Sequence, residues 1–355
     1  RSHFGSSHLG PRHFVPSFCA ESLGASGLVS ADLAMEAKHA SLQTCDPKLL
    51  RKDITGQVVI VTGANQGCGY WTAKQLVSQG AKVILACRSS AKGESAASEV
   101  GGIFMQLELS DFDSVRSFAA SFLEKYDRLD SLINNAGVMC CPLQRTKEGY
   151  ELQLATNHLG HFLLTMLLKD VLEKSKGRVI NLSSVAASQM SMNMPFGYAD
   201  VYFDDLQFAS SKYDPQKAYS QSKLCNYLHA KEIPNRFNGV VAVSLHPGFV
   251  DTDLHKYAIG NGCMRCLVRC LMKKSRGAGD LLEPSDGALV TLHCALSEAA
   301  DLENGGFYSQ KGIYKDKAAK PGGLPLPSLP NPNVKDDYPS RLWDESLRLC
   351  GLGAA

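Results

Sequence analysis

From residue 56 onward, apolar residues alternate between short unbroken runs and longer stretches with helical spacing. The short runs are "QVVIVT" (57–62), "KVILAC" (82–87), "IFMQLEL" (103–109), "SLINN" (131–135), "RVINLS" (178–183), "GVVAVSLHP" (239–247) and "GGFYS" (305–309). Their brevity and β-branched content mark strands buried on both faces. Helices are predicted between them near 67–78, 91–100, 111–126, 148–173, 215–232 and 285–299, and a last one near 338–349. The 111–126 stretch opens on an acidic cap and repeats apolar residues at Val115, Phe118, Phe122 and Leu123. Strands alternating with helices imply a parallel sheet, and right-handed crossovers make it doubly wound. The expected fold is α/β: one Rossmann-type domain over 51–350, a parallel sheet of about seven strands with helices on both faces. The Pro-rich stretch 321–332 reads as a surface loop.

Composition narrows the function classes. The chain has 355 residues, 44% hydrophobic and 20% charged, ordinary values for a soluble globular protein. A net charge of +2 gives no basis for bulk electrostatic binding to nucleic acid. No apolar run approaches the roughly 20 residues that span a bilayer, so no transmembrane helix is expected. Twelve cysteines include the vicinal pair Cys140 and Cys141. Cys87 and Cys225 fall in predicted core elements, where a free thiol acts as a small hydrophobe. A reducing, cytoplasmic setting without a disulfide framework follows. The pair Cys263 and Cys266 has no second CxxC or His pair at zinc spacing, so no metal is expected. Residues 1–50 differ from the rest: the first twenty hold Arg1, Arg12 and several Ser and His, but no Asp or Glu. They fit a disordered extension, and an organelle-targeting segment stays open. The chain opens on Arg1 without Met, as a fragment would.

The chemistry begins at Gly63, Gly67 and Gly69, which follow the first strand and open the first helix. Gly turns the backbone sharply and leaves no Cβ to block a phosphate, and a helix N-terminus offers unpaired N–H groups. The second strand ends in "ACRSS", with Arg88 and no carboxylate. An acidic residue there would grip a ribose 2′-OH, whereas the fork of Arg suits a 2′-phosphate. NADP(H) is therefore preferred over NAD(H). Tyr219 and Lys223 stand four apart on a predicted helix, hence on one face. An ammonium beside a phenol is expected to lower the phenol's pKa and make it a usable general acid or base.

"TGANQGCG", "NNAG" (134–137), "GRVINLSS" (177–184), "YSQSK" (219–223) and "HPGFVDT" (246–252) occur in an order and spacing that resemble the short-chain dehydrogenase/reductase family. The likeness covers residues from about 52 to 350, and "NHLGHFLL", "YSQSKLCN" and "RLWDESLRLCGL" are most similar to its retinol-dehydrogenase-like branch. The resemblance implies catalytic roles for Asn157, Ser184, Tyr219 and Lys223. Ser184 would hydrogen-bond the substrate oxygen, Lys223 would also hold the nicotinamide ribose, and Asn157 would anchor a water that relays protons. It implies cofactor contacts at Gly63, Asn65, Gln66, Gly67, Cys68, Gly69, Arg88, Glu108, Leu109, Asn135, Ala136, Gly137, Tyr219, Lys223, Pro247, Gly248 and Thr252. Two positions depart from the family pattern: Cys68 stands where Ile is usual, and Glu108 replaces the Asp that contacts adenine. Ser184 and Tyr219 are also 35 residues apart, an insertion that the retinol-dehydrogenase-like branch carries.

Within that insertion, Met190, Met192, Met194, Phe196, Tyr202 and Phe203 fit a lipophilic pocket wall or, equally, a flap packed on the domain. "CMRCLVRCLMKK" (263–274) repeats Arg265, Arg269 and Lys273 every four residues. That pattern suits a lid over the substrate or peripheral contact with an anionic bilayer. Family relatives often pair through two long helices, so a homodimer is expected. The leading reading is an NADP(H)-dependent oxidoreductase that interconverts alcohol and carbonyl on a lipophilic small molecule: a retinoid, steroid or fatty aldehyde. Two alternatives stay open. One is a catalytically idle NADP(H)-binding regulatory or scaffold protein, and the other a C=C reductase resembling light-dependent protochlorophyllide reductase.

Overall fold

The buried runs become the strands of one sheet. The computed structural model describes residues 45–188, 197–257, 282–309, 325–326 and 329–353. Its strands are β1 (Val58–Thr62), β2 (Lys82–Cys87), β3 (Ile103–Gln106), β4 (Ser131–Asn134), β5 (Arg178–Leu182), β6 (Val241–His246) and β7 (Phe307–Ser309). These seven are parallel, in the order β3-β2-β1-β4-β5-β6-β7. A two-residue strand, β8 (Pro325–Leu326), adds antiparallel to β7. Strand order reverses between β1 and β4. In such a sheet, ligands bind outside the carboxyl ends of the strands at the reversal.

The helices are α1 (Gly67–Ser78), α2 (Ser90–Val100), α3 (Phe112–Leu123), α4 (Leu152–Leu154), α5 (Gly160–Leu167), α6 (Lys169–Ser175), α7 (Pro215–Arg236), α8 (Pro284–Gly287), α9 (Leu289–Leu296) and α10 (Tyr338–Leu349). Every residue of β1 is buried because each face of the sheet carries its own helical layer. Ile60 packs with Phe118, Phe162, Leu224 and Trp343 on one side, while Val59 and Val61 pack with Leu76 and Leu292 on the other. That division is the two-residue alternation of a strand.

Capping chemistry sets the helix starts. Asp111 accepts the amides of Asp113 and Ser114 and begins α3, as its sequence predicts. Val115, Phe118 and Phe122 are buried, but Leu123 is 45% exposed and Ala119 completes the inner face instead. Asp214 accepts the amides of Gln216 and Lys217, with Pro215 preset at the first position of α7. The helix expected over 148–173 departs most. It begins at Leu152, a π turn over Ala155–Leu159 separates α4 from α5, and α6 follows after Leu168. The helix expected over 285–299 is likewise two shorter ones, α8 and α9.

The Pro-rich stretch is not simply a surface loop. Leu329 and Asn331 are buried, and Pro325–Leu326 joins the sheet. Asn331 Nδ2 donates to the carbonyls of Ala187 and Ala199 at 2.9 Å each, and Ser188 Oγ donates to the Pro330 carbonyl. One amide thus pins the two ends of the segment that begins the insertion. The described part of the insertion packs on the domain. Ala199, Val201, Leu206 and Phe208 are buried in the core, and Phe203 meets the Tyr338 ring edge-on at 5.1 Å. Met190, Met192, Met194 and Phe196 lie outside the described residues, as do the basic repeat 263–274, the Cys263–Cys266 pair and residues 1–44. Among the described residues no helix is long and apolar enough to cross a membrane, and the cysteines are free.

Asn331→Ala removes a donor that two carbonyls share in the interior. It is expected to cost about 1–3 kcal/mol, read as a lower thermal midpoint with the far-ultraviolet circular dichroism of the folded protein unchanged before melting.

Candidate active site

The glycine turn between β1 and α1 is built around three constraints. Gly63 and Gly67 have φ of +64° and +62°, a region that strains a side-chain-bearing residue. At Gly69 a Cβ would lie 2.4 Å from Asn135 Nδ2 and 2.7 Å from the Gly63 carbonyl oxygen, so no other residue fits. Gln66, which precedes α1, makes no side-chain capping bond, so the helix's first amides keep their character as an anion seat. Asn65 is half-buried and Gln66 exposed. Cys68 is buried, its thiol pushed up to about 12 by burial, so it packs as an apolar side chain rather than standing as a reactive thiolate.

Neighbouring loops close on this turn. Thr62 Oγ1 accepts the amides of Asn135 and Ala136 at 2.9 Å each, and Asn135 Nδ2 returns a bond to the Thr62 carbonyl at 2.7 Å. Asn134 Nδ2 reaches Asn181 Oδ1 at 2.8 Å and ties β4 to β5. After β6, Pro247 and Gly248 (φ +98°) turn the chain back, and Thr252 Cγ2 lies 3.1 Å from where a Gly67 Cβ would be. The "HPGFVDT" segment therefore meets the glycine turn directly.

Arg88 and Glu108 form a separate group. Arg88 Nε lies 3.5 Å from Glu108 Oε2, with the guanidinium largely in solvent. Glu108 Oε1 also accepts from Ser110 N and Oγ, which fixes the carboxylate beside Arg88. Leu109 is buried, and its carbonyl oxygen would sit 2.2 Å from a Cβ at Gly160, so Gly160 admits its backbone.

Asn157, Ser184, Tyr219 and Lys223 converge at the carboxyl ends of β4 and β5, and all four are buried. Asn157 lies in the π turn, an irregularity often found at functional sites. Its side chain bonds at both ends: Oδ1 accepts from Val138 N at 2.8 Å, while Nδ2 donates to Val138 O and Ser222 Oγ at 2.9 Å, which leaves Oδ1 one further lone pair. Ser222 Oγ in turn donates to the Tyr219 carbonyl, which joins the π turn to α7. Ser184 caps a short 3-10 turn and stands near enough to the Tyr219 phenol to favour its ionisation. Lys223 Nζ donates to the Leu182 carbonyl at 3.0 Å and stands 5.8 Å from the Tyr219 ring centre. A Cβ on Gly137 would lie 3.1 Å from Asn157 Oδ1 and 3.4 Å from Lys223 Nζ, so both polar atoms face one small space over that glycine.

One electrostatic expectation is corrected. Burial drives the Tyr219 phenol up, and Ser184 pulls it only partly back. Burial holds Lys223 itself down to about 8. The helical spacing does put both groups on one face, but the ammonium turns to the Leu182 carbonyl rather than to the phenol oxygen. Sequence reasoning also passed over Thr62, Val138, Ser222 and His161, which hold this group together. The i, i+4 spacing of Asn157 and His161 was the available signal.

Comparison with known proteins agrees with this geometry. The short chain dehydrogenase family model matches residues 57–199. Retinol dehydrogenase 12 of Mus musculus is 38% identical over 310 residues, 84% of this chain and 88% of its own length. Retinol dehydrogenase 13 of Homo sapiens is 37% identical over 348 residues, 94% and 95% of the two chains. A solved structure of an uncharacterized protein from Mycobacterium Paratuberculosis superposes with a TM-score of 0.64 at 31% identity, covering 84% of this chain and 95% of that one. The chain belongs to the short-chain dehydrogenase/reductase family and is an oxidoreductase. Within that family it falls in the retinol-dehydrogenase-like branch. The family's nicotinamide dinucleotide fits here: the crowded Gly69, the two left-handed glycines and the uncapped start of α1 form a cradle for a pyrophosphate.

Proposed function

We propose that this protein interconverts an alcohol and a carbonyl on a lipophilic small molecule with NADP(H), a retinoid being the first substrate to try. The observation that carries the reading is the convergence of four buried side chains, Asn157, Ser184, Tyr219 and Lys223, at the carboxyl ends of β4 and β5. The names of the relatives, retinol dehydrogenases at 36–40% identity, support the substrate class.

When bound, the nicotinamide supplies or accepts the hydride. It would be held by the amides at Gly67 to Gly69, by Thr252 and by Lys223. The chain's own residues handle the oxygen and the proton. Ser184 hydrogen-bonds the substrate oxygen and stabilises charge that develops on it. Tyr219, whose buried phenol keeps its proton, gives that proton to the carbonyl oxygen in the reducing direction. The charged form of Lys223 beside it stabilises the phenolate this leaves. A water in the space over Gly137, between Asn157 Oδ1 and Lys223 Nζ, then starts the path that returns a proton to the site.

Arg88 favours the 2′-phosphate of NADP(H), but Glu108 competes for the same guanidinium. Glu108→Gln is therefore expected to tighten NADPH by about 2- to 5-fold, the scale of an exposed pair, and to leave NADH nearly unchanged. Fluorescence titration with both nucleotides reads this; equal tightening of both would show that the Arg88 pair has no part in the choice.

The decisive experiment is NADPH oxidation over a panel of retinoid, steroid and fatty aldehydes and ketones. Tyr219→Phe is expected to lower turnover by about 10²- to 10⁴-fold with NADPH binding kept. A wild type that binds NADPH but reduces none of the panel would favour the idle binding protein.

The pH dependence follows from Lys223. Its pKa is depressed in the folded protein, so it loses its proton near pH 8 while the unfolded chain keeps it to about 10.4. Reduction is expected to be full below pH 8 and to fall as pH rises through it. Stability runs the other way: the cost of burying the ammonium is greatest below 8 and is relieved between 8 and the unfolded value. A turnover profile flat to pH 10 would take the charge of Lys223 out of the mechanism.

A further inference from the structure

His161 is one turn beyond Asn157, 1% exposed, and touches neither the glycine amides nor the Tyr219 phenol. Both of its ring nitrogens are used. Nδ1 meets the Asn157 carbonyl oxygen at 2.9 Å, and Nε2 meets Thr62 Oγ1 at 2.9 Å. A carbonyl only accepts, so Nδ1 carries the hydrogen. In a neutral ring Nε2 is then the acceptor, and the Thr62 hydroxyl must be the donor. The ring is neutral, because burial and the nearby Lys223 charge hold His161 down to about 4. The other imidazoles near it, His158 and His229, are likewise kept neutral by burial. The tautomer is thus fixed by geometry at both ends.

The consequence lies in what the two ends hold. Thr62 Oγ1, with its hydrogen committed to His161, directs its lone pairs at the amides of Asn135 and Ala136. Its longer contact to the Ile133 carbonyl, 3.4 Å, loses that competition. The Asn157 carbonyl, inside the π turn and buried, receives the Nδ1 hydrogen of His161. A single imidazole therefore spans the end of β1, the 134–138 segment and the π turn that sets Asn157 facing Lys223.

We propose that His161 is a positioning residue that couples the nucleotide-binding turn to the proton path: it fixes the direction of the Thr62 hydroxyl and the orientation of the Asn157 carbonyl at once. Ordering at either end is transmitted to the other through one ring. This rests on the proposed roles of the glycine turn and of Asn157 above, but the bridge itself can be measured without turnover.

His161→Phe keeps the ring volume and removes both bonds. Amide hydrogen exchange at Asn135 and Ala136 is expected to speed by about 10-fold or more, with exchange across α3 unchanged. In NADPH-dependent turnover, kcat is expected to fall about 10- to 100-fold, while KM for the carbonyl substrate stays within about twofold. His161→Gln, which still donates and accepts, recovers part of both. Should His161→Phe fail to fold, His161→Leu removes both bonds at smaller volume and gives the same exchange pattern, while Thr62→Val, which removes the acceptor of both amides itself, sets the upper limit of the effect. Unchanged exchange at Asn135 and Ala136 overturns the proposal, whatever the activity. So does exchange that rises equally in α3, which marks general loosening. A wild type without turnover would count against the enzymatic reading alone, because the exchange result still decides the bridge.

Discussion

An ammonium buried without a carboxylate is the constraint around which this site is organised. Lys223 is 4% exposed, and its ammonium donates to the Leu182 carbonyl at 3.0 Å. Burying such a charge is costly unless the surroundings hold it with hydrogen bonds. Asn226 Nδ2 converges on the same carbonyl at 3.0 Å, and Ser183 Oγ donates to the Lys223 carbonyl at 2.6 Å. Three bonds thus key α7 to the last residue of β5 and the one after it. That fixes the rotation of α7, and with it Tyr219 one turn earlier and Ser184 at its phenol. A shift of one residue in α7 would turn Lys223 into the apolar layer of Leu224 and Leu228, where nothing receives a charge.

The same economy explains the irregular helix opposite. Asn157 bonds the Val138 peptide and Ser222, so it works as a clamp between the 134–138 segment and α7. A regular helix would have presented a different residue to Val138. The π turn at Ala155–Leu159 adds the extra step that brings Asn157 around while Leu154 and Leu159 stay in the core. Within it, His161 Nδ1 donates to the Asn157 carbonyl and adds a side-chain bond to the turn.

Much of this was legible in the sequence, and the limits have physical causes. β1, α1 and β2 follow from runs of β-branched residues punctuated by glycine, because local sterics decide them. The start of α3 was readable from Asp111 and that of α7 fell where Pro215 stands, since caps are local. The π turn was not readable. All of 153–164 is buried, so the apolar pattern carries no phase from which a slipped helix could be told apart. Leu329 and Asn331 hid among prolines because their burial comes from contacts with Ala187, Ala199 and Tyr227, far away in the chain. The spacing of Tyr219 and Lys223 gave their shared face but not their charge coupling, which depends on where the ammonium's hydrogens find an acceptor.

That last difference bears on direction. A phenol raised by burial is a poor base before anything binds, and it holds its proton at any ordinary pH. In the proposed reaction it is therefore ready as an acid for carbonyl reduction, whereas alcohol oxidation must first draw the proton out through Lys223 and the space over Gly137. Lys223, held near 8, can accept or release a proton close to neutrality, where a surface lysine could not. The burial that makes Tyr219 reluctant to ionise thus also brings Lys223 into the working range. The two shifts arise from one cause, the dry packing beneath the carboxyl ends of β5 and β6. Opening that packing to water would return both groups toward their ordinary values and remove the asymmetry between reduction and oxidation.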